Sequence, residues 1–280
     1  MRSVKFLVAA GAATLLSSAA FAADMPSIMP PPQPYYAPPP QQDFGGWYLR
    51  GDVGMTNSQA KLHDNLYDTL PGGARLTQNG EGFTGGTSWG VGVGYQFNNW
   101  FRADITGEYR SRVAFSGSDF VTYPGGGGFL SDNYQGGYTS WVGLVNAYAD
   151  LGTWWCLTPF VGVGVGAANI HTTGLQDTGL SNGNPGSYFA SGASTTNFAW
   201  AAHAGLAYKV NNSFTVELAY RYLDMGTAVH GYGSSYDGSN AGPSSFQYRN
   251  LTSQDVRLGV RWNLDCCDYN PPPRPLVTKG

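Results

Sequence analysis

What this 280-residue chain lacks narrows it first. After the N-terminal segment, no stretch approaches the roughly 18 consecutive apolar residues that a membrane-spanning helix requires, so any membrane role must rest on strands. Charge is scarce, with Asp, Glu, Lys and Arg together making up only 12%. Basic residues do not outnumber acidic ones, 15 against 18, which argues against a nucleic-acid partner. Cysteine is limited to Cys156, Cys266 and Cys267, too few for the disulfide framework of a small secreted domain. His63, His171, His203 and His230 are scattered and no Cys or carboxylate cluster joins them, so neither a metal nor another cofactor is expected.

What is abundant is glycine, 40 residues, and aromatic side chains, 14%. That composition suits a β-barrel with glycine-rich loops, but also a secreted soluble sandwich, so pattern has to decide. The N-terminus reads as a secretory signal over residues 1–22: Arg2 and Lys5 are followed by the apolar run Phe6–Leu16 and the small-residue site Ala20-Phe21-Ala22. Its removal leaves 13 basic residues against 18 acidic ones, a net charge of −5. Residues 23–44 hold Pro30-Pro31-Pro32 and Pro38-Pro39-Pro40, an extended linker, and the tail 265–280 holds Pro271-Pro272-Pro273. Both are expected on the periplasmic side of a domain spanning 45–264.

Within that domain the pattern has a period of two. In Asp255–Leu264, Val256, Leu258, Val260, Trp262 and Leu264 share one face; Asp255, Arg257, Gly259, Arg261 and Asn263 share the other. A period of two is a strand. Bulky apolar groups outside and arginines inside invert a soluble protein and match a barrel in lipid. Seven more segments qualify: Trp47–Met55, Ser88–Phe97, Trp100–Arg110, Ser140–Asp150, Pro159–Ala168, Trp200–Val210 and Phe214–Leu223. Their lengths suit the roughly 9–11 residues of a tilted transmembrane strand. The alternation of Ser140–Asp150 is muddled. The sequence thus predicts an all-β protein, an eight-stranded antiparallel transmembrane β-barrel.

The connections alternate in length. Asn98-Asn99 and Asn211-Asn212 read as tight turns, since Asn tolerates positive φ, and 150–158 as a moderate one. Thr56–Thr87, Ser111–Thr139, Asn169–Ala199 and Asp224–Asn250 read as long external loops. Short periplasmic turns with long outer loops are the outer-membrane signature. The tryptophans fit it: Trp89, Trp141 and Trp200 fall at the outer rim; Trp47, Trp100 and Trp262 fall at the inner rim; Trp154 and Trp155 sit in an inner turn. Together they form an aromatic girdle.

The segments Ala147–Gly152, Pro159–Gly164, Glu217–Asp224 and Val256–Trp262 resemble the opacity-type porins and outer-membrane surface antigens of alphaproteobacteria, similar in barrel type to the OmpA membrane domain. The resemblance covers Gly45–Leu264. It implies residence in the cell outer membrane and a structural, surface-antigen or porin-like role. The partners it implies are outer-membrane lipid and lipopolysaccharide, the barrel assembly machinery, and peptidoglycan or a host surface. Barrels of this kind usually end at a terminal aromatic, whereas 16 residues follow Leu264 here.

Alternation places twelve charges in the lumen: Arg50, Asp52, Arg102, Asp104, Glu108, Arg110, Lys209, Glu217, Arg221, Asp255, Arg257 and Arg261, seven basic and five acidic. An eight-stranded barrel is just wide enough for its own side chains, so these charges must pair. Glu217 is expected to meet Arg257 and Arg261, and Arg221 to meet Asp255. Two readings follow, a salt-bridged plug and a narrow ion path lined by surplus arginine. Gly90–Gly94 and Gly162–Gly166 alternate Gly with Val, but no helix follows either run, so a dinucleotide loop is excluded. Lipid-editing barrels use a His and a Ser on a lipid-facing strand; His203 falls on the lumen face and no Ser lies two positions away, so no enzyme is expected. Three states stay open for the thiols: a Cys156–Cys266 bridge across the inner mouth, a vicinal Cys266–Cys267 pair, or reduced and intermolecular thiols. The outer loops carry Tyr123, Tyr134, Tyr138, Tyr188, Phe189, Tyr232, Tyr236 and Tyr248, and Tyr among Ser, Gly and Asn is the chemistry of adaptable binding loops.

Overall fold

The computed structural model describes residues 45–264. The signal segment, the 23–44 linker and the 265–280 tail, with Cys266 and Cys267, lie outside the described residues. In chain order the strands are β1 Gly46–His63, β2 Arg75–Phe83, β3 Gly86–Gln96, β4 Phe101–Thr122, β5 Phe129–Asp150, β6 Leu157–Thr172, β7 Leu175–Ser181 and β8 Asn184–Ala190, then β9 Ser194–Lys209, β10 Phe214–Asp224, β11 Ala228–Val229, β12 Tyr232–Ser235, β13 Gly242–Pro243 and β14 Gln247–Asn263. Eight of them close a ring, β1–β3–β4–β5–β6–β9–β10–β14 and back to β1, each pair antiparallel. Each of the eight segments read from the sequence falls on one ring strand, four of them overrunning it by a single residue. A closed ring leaves no unpaired edge, the condition for strands to cross lipid.

The faces follow the alternation. On β14, Val256, Leu258, Val260 and Trp262 are 46–55% exposed, while Asp255, Arg257 and Arg261 between them are buried. The same inversion runs around the ring, with Val91, Ile105, Val145, Val163 and Leu218 outward and exposed. Apolar surface on this scale is stable only against lipid. Inward glycines are required where long side chains lie across the lumen. A Cβ on Gly94 would come within 2.3 Å of the Tyr48 ring, and one on Gly164 within 2.1 Å of Asn146 Oδ1.

The three turns at the short end use different chemistry. In Asn98-Asn99 and Asn211-Asn212 neither residue has positive φ, contrary to the sequence expectation. Instead the side chain closes the turn: Asn98 Oδ1 accepts from the N–H groups of Trp100 and Phe101, and Asn211 Oδ1 from those of Ser213 and Phe214. The positive φ values sit at Trp155 and Cys156, +50° and +69°, in a two-residue turn closed by paired bonds between Trp154 and Leu157. Two such residues make the primed turn that matches strand twist.

At the other end three of the four expected long loops are largely strand, and 224–250 is about half strand. β4 and β5 are each 22 residues long, about twice what a bilayer crossing needs. β2 continues the wall of β3 along β4, while β7 and β8 form a hairpin that pairs with β5 on one side and β12 on the other. The hairpin turns on Asn182-Gly183, both at positive φ, the strongest short hairpin signal a sequence can carry. These extensions build a walled crown above the level of Trp89, Trp141 and Trp200.

The interior changes character along the axis. The lower part is filled by charge. The upper part is an apolar core that includes Leu62, Val113, Phe115, Tyr138, Leu175, Phe246, Tyr248 and Leu251, which a uniformly polar lumen would not contain. Phe83 reaches into it and stacks edge-on against Tyr138 and Tyr248, with ring centroids 5.3 Å apart in each case.

Candidate functional site

The lumen charges arise from alternation on β1, β4, β10 and β14, and register brings them together: Arg221 lies opposite Asp255, and Arg50 opposite Arg261. The upper tier centres on Glu108 and Asp255. Arg221 donates to both Glu108 oxygens at 2.7 and 2.8 Å and to Asp255 at 2.6 and 2.9 Å. Arg110 grips Asp255 with two bonds of 2.8 and 3.0 Å, and also reaches Ser253. Arg257 bridges Glu108, 2.9 Å away, to Asp52. Paired planar contacts of this kind suit Arg and would be lost with Lys.

In the lower tier Arg50 donates to Asp104 and to the Tyr148 hydroxyl, each at 2.8 Å. Tyr48 and Asn146 donate to the same Asp104 carboxylate. Glu217 stands among Arg102, Arg261 and Arg50, at 3.3, 3.6 and 3.7 Å. The expected partner Arg257 is instead held one tier up by Asp52 and Glu108. Arg102 also meets Asp150 at 3.2 Å and lies over the Tyr148 ring, 4.3 Å from its centroid. His203 shares a 3.2 Å contact with Asn146 inside the lumen.

Two members of the sequence-derived set change. Lys209 has lumen parity but sits exposed at the end of β9 and enters no ion pair among the described residues. Asp150 joins through Arg102. Six arginines, Arg50, Arg102, Arg110, Arg221, Arg257 and Arg261, therefore face six carboxylates, Asp52, Asp104, Glu108, Asp150, Glu217 and Asp255. Among the described residues the lumen holds no surplus of arginine. Asn146, Tyr148 and Asp150 escaped the sequence reading because the inward face of β5 switches from apolar Val142 and Leu144 to polar residues midway, which blurs its alternation.

All eight tryptophans are outward and largely exposed. Trp89 and Trp141 flank Tyr109 on adjacent strands, and Trp200 packs on Tyr222. At the short end Trp47 packs on Tyr95 and Trp262 stacks on Phe214. Trp100 lies beside Phe101, and Trp154 and Trp155 are in the last short turn. Cys156 is exposed and forms no disulfide among the described residues. The second half of the proposed Cys156–Cys266 bridge lies outside the described residues.

The crown holds a second polar group that the sequence reading left in loops. Asp119 and Asp132 face each other across β4 and β5, and Asp177 on β7 lies opposite Tyr134. Tyr67 and Tyr134 both donate to Asp119 Oδ2. None of the three carboxylates enters an ion pair among the described residues. Burial pushes all three above the usual carboxylate range, Asp132 to about 7 and Asp177 to about 8, with the neighbouring carboxylates adding to it. Alternation of Leu130, Asp132, Tyr134 and Gly136, together with the Asn182-Gly183 turn, was the signal that could have found them.

Compared with known proteins, residues 8–263 match the model of the outer membrane protein beta-barrel domain. An uncharacterized protein of Brucella abortus is 31% identical over 248 residues, covering 78% of this chain and 85% of that one. A Rickettsia bellii protein, named as a proposed adhesin, is 28% identical over 262 residues, 92% of this chain and 98% of its own. Among solved structures, the Neisserial surface protein A barrel aligns with 78% of this chain and 96% of its own, at 15% identity and a TM-score of 0.38.

Proposed function

Since the chain belongs to the outer membrane protein beta-barrel family, and so is an integral protein of the outer membrane, we propose that it is a non-conducting barrel whose crown binds at the surface of another cell. The observation that carries this reading is the contrast between the two ends of the interior. Arg102, Arg110 and Arg221, the side chains that would line a channel, are at most 2% exposed, and the aromatic core closes the lumen above them. Side chains lining an open path would be wetted. Meanwhile the wall continues beyond the membrane as paired strands, a rigid scaffold for display. The name of the Rickettsia bellii relative points the same way.

The remaining partners belong to the same proposal. Lipid and lipopolysaccharide meet the apolar band and its aromatic rims. The assembly machinery inserts the barrel, and peptidoglycan is the periplasmic neighbour. We read the chain as non-enzymatic, because His203 is occupied with Asn146 and the Tyr148 ring inside the lumen, away from lipid.

The experiment has two arms. Refolded protein in a planar bilayer should give no steady conductance. Cells of a non-adherent Gram-negative strain displaying the barrel should adhere to cultured host cells. Replacing 175–190 by a short Gly-Ser turn should abolish that adherence, while a heat-modifiable gel shift shows that the barrel still assembles. Steady wild-type conductance, or adherence that survives the trimming, overturns the reading.

A further inference from the structure

A cleft of about 510 Å³ opens in the crown between the β7–β8 hairpin and the β12–β13 turn, within the range of roughly 300–1,000 Å³ typical of ligand sites. Asp132 and Asp177 line it, Tyr188 and Tyr236 stand in its walls, and Asp237 is on its rim. No Lys or Arg lines it. Asp132 is only 8% exposed. Its Oδ1 lies 1.9 Å from where a Cβ on Gly179, another lining residue, would sit. The carboxylate therefore occupies space that glycine leaves open. Oδ1 of Asp177 is buried with no hydrogen-bond partner. Tyr188 is braced by Phe246, with ring centroids 5.8 Å apart, whereas Tyr236 is 87% exposed.

Every buried carboxylate of the lumen network is matched by an arginine. Asp132 and Asp177 meet no Lys or Arg among the described residues, although an unpaired carboxylate held away from water is costly. They differ in one respect: the cleft opens to the outside. We propose that this cleft is a binding site for an organic cation, a guanidinium or primary ammonium group, which Asp132 and Asp177 pair with while Tyr188 and Tyr236 cover it with their ring faces. The inference deepens the crown reading by naming the chemistry of its partner: a basic side chain presented by a protein, or a free polyamine.

The protonation of the group gives an independent handle. Asp132 and Asp177 are held protonated near neutrality by burial and by the carboxylates around them, Asp119 and Asp64, with the Tyr134 phenol alongside. A cation seated between them restores the charged form, so binding at pH 7 should release protons.

The test uses purified, refolded full-length protein and titration calorimetry in physiological salt, with hexa-arginine peptide and spermidine as probes and hexa-glutamate as the control. Hexa-arginine should bind saturably, with a heat that differs between buffers of different ionisation enthalpy. Asp132→Asn/Asp177→Asn should weaken it at least tenfold and remove the buffer dependence. Tyr236→Ala should weaken it severalfold. Asp68→Asn, which removes an exposed acid outside the cleft, should leave it unchanged. Spermidine that competes at equal affinity marks a free polyamine as the occupant, and spermidine that fails to compete marks a protein side chain. The proposal is overturned if neither probe binds, if the double variant binds as wild type does, or if Asp68→Asn weakens binding as much. Because the readout is binding by the isolated barrel, it can fail while adherence stands, and the reverse. A heat-modifiable gel shift establishes that each variant is folded.

Discussion

At the residue scale, Glu217 shows what the lumen network does. It is the shared counter-charge of Arg50, Arg102 and Arg261 in the lower tier, and Asp104 and Asp150 are already committed to Arg50 and Arg102. Glu217→Gln keeps the shape and removes the charge, leaving Arg261 with no carboxylate within ion-pair distance among the described residues. Removing one partner of a buried charge set costs about 3–5 kcal/mol. The expected outcome is a loss toward the lower end of that range, because an amide still accepts hydrogen bonds, read as a shifted urea midpoint in the gel-mobility assay. An unchanged midpoint would mean that water already reaches this tier. The outward residues obey a different rule. Val163→Arg puts a charge into lipid, whereas Gly164→Arg, on the lumen side, would drive its Cβ into Asn146. Both fail, one by desolvation and one by volume.

At the element scale, the turns show where local chemistry is optimised and where it is not. Asn182-Gly183 places the two most favourable residues in the β7–β8 turn. Trp155-Cys156 demands the same left-handed backbone from residues that disfavour it, by about 1–2 kcal/mol each. Cys156→Gly should therefore raise the unfolding midpoint, by about 0.5 kcal/mol once the extra freedom glycine has when unfolded is subtracted. A lowered midpoint would show that the exposed thiol makes a contact that glycine cannot. The strand extensions were legible only in part. β4 and β5 keep a strand pattern past Arg110 and before Ser140, but Gly136-Gly137, a register shift between Arg110 and Val113, and many Ser and Asn residues break the alternation that marks a strand. Long Gly- and Ser-rich stretches look like loops until a neighbouring strand supplies the pairing.

At the scale of the whole molecule, membrane barrel and crown should respond differently to pH. The folded crown holds the Asp132 and Asp177 protons up to about pH 7 and 8, whereas an unfolded aspartate loses its proton near pH 4. Between these values the opened state has fewer bound protons, so each step upward favours opening. The stabilisation is complete below about pH 4 and is lost as pH rises through 7 to 8. Amide exchange in β7 and β8 should accelerate over that window in wild type and much less in Asp132→Asn/Asp177→Asn. The ring strands should remain protected, and the protein heat-modifiable, throughout. Uniform acceleration around the ring would show that the two parts are one cooperative unit.

The sequence by itself determined the fold class, the ring of eight strands, which face meets lipid on all of them but Ser140–Asp150, and most of the charges that fill the lumen. Those properties depend on a period of two and on segment length, and both are local. Only the tertiary structure decided which charge meets which, because pairing depends on register between strands far apart in the chain: Arg221 with Glu108 across 113 positions, Arg110 with Asp255 across 145. It also decided that Lys209 stands outside the network and Asp150 within it, since parity gives a side and not a depth. The meeting of the crown carboxylates belongs to this second class. Asp119, Asp132 and Asp177 come from three different strands, and their proximity, burial and lack of a counter-charge exist only once those strands are laid side by side.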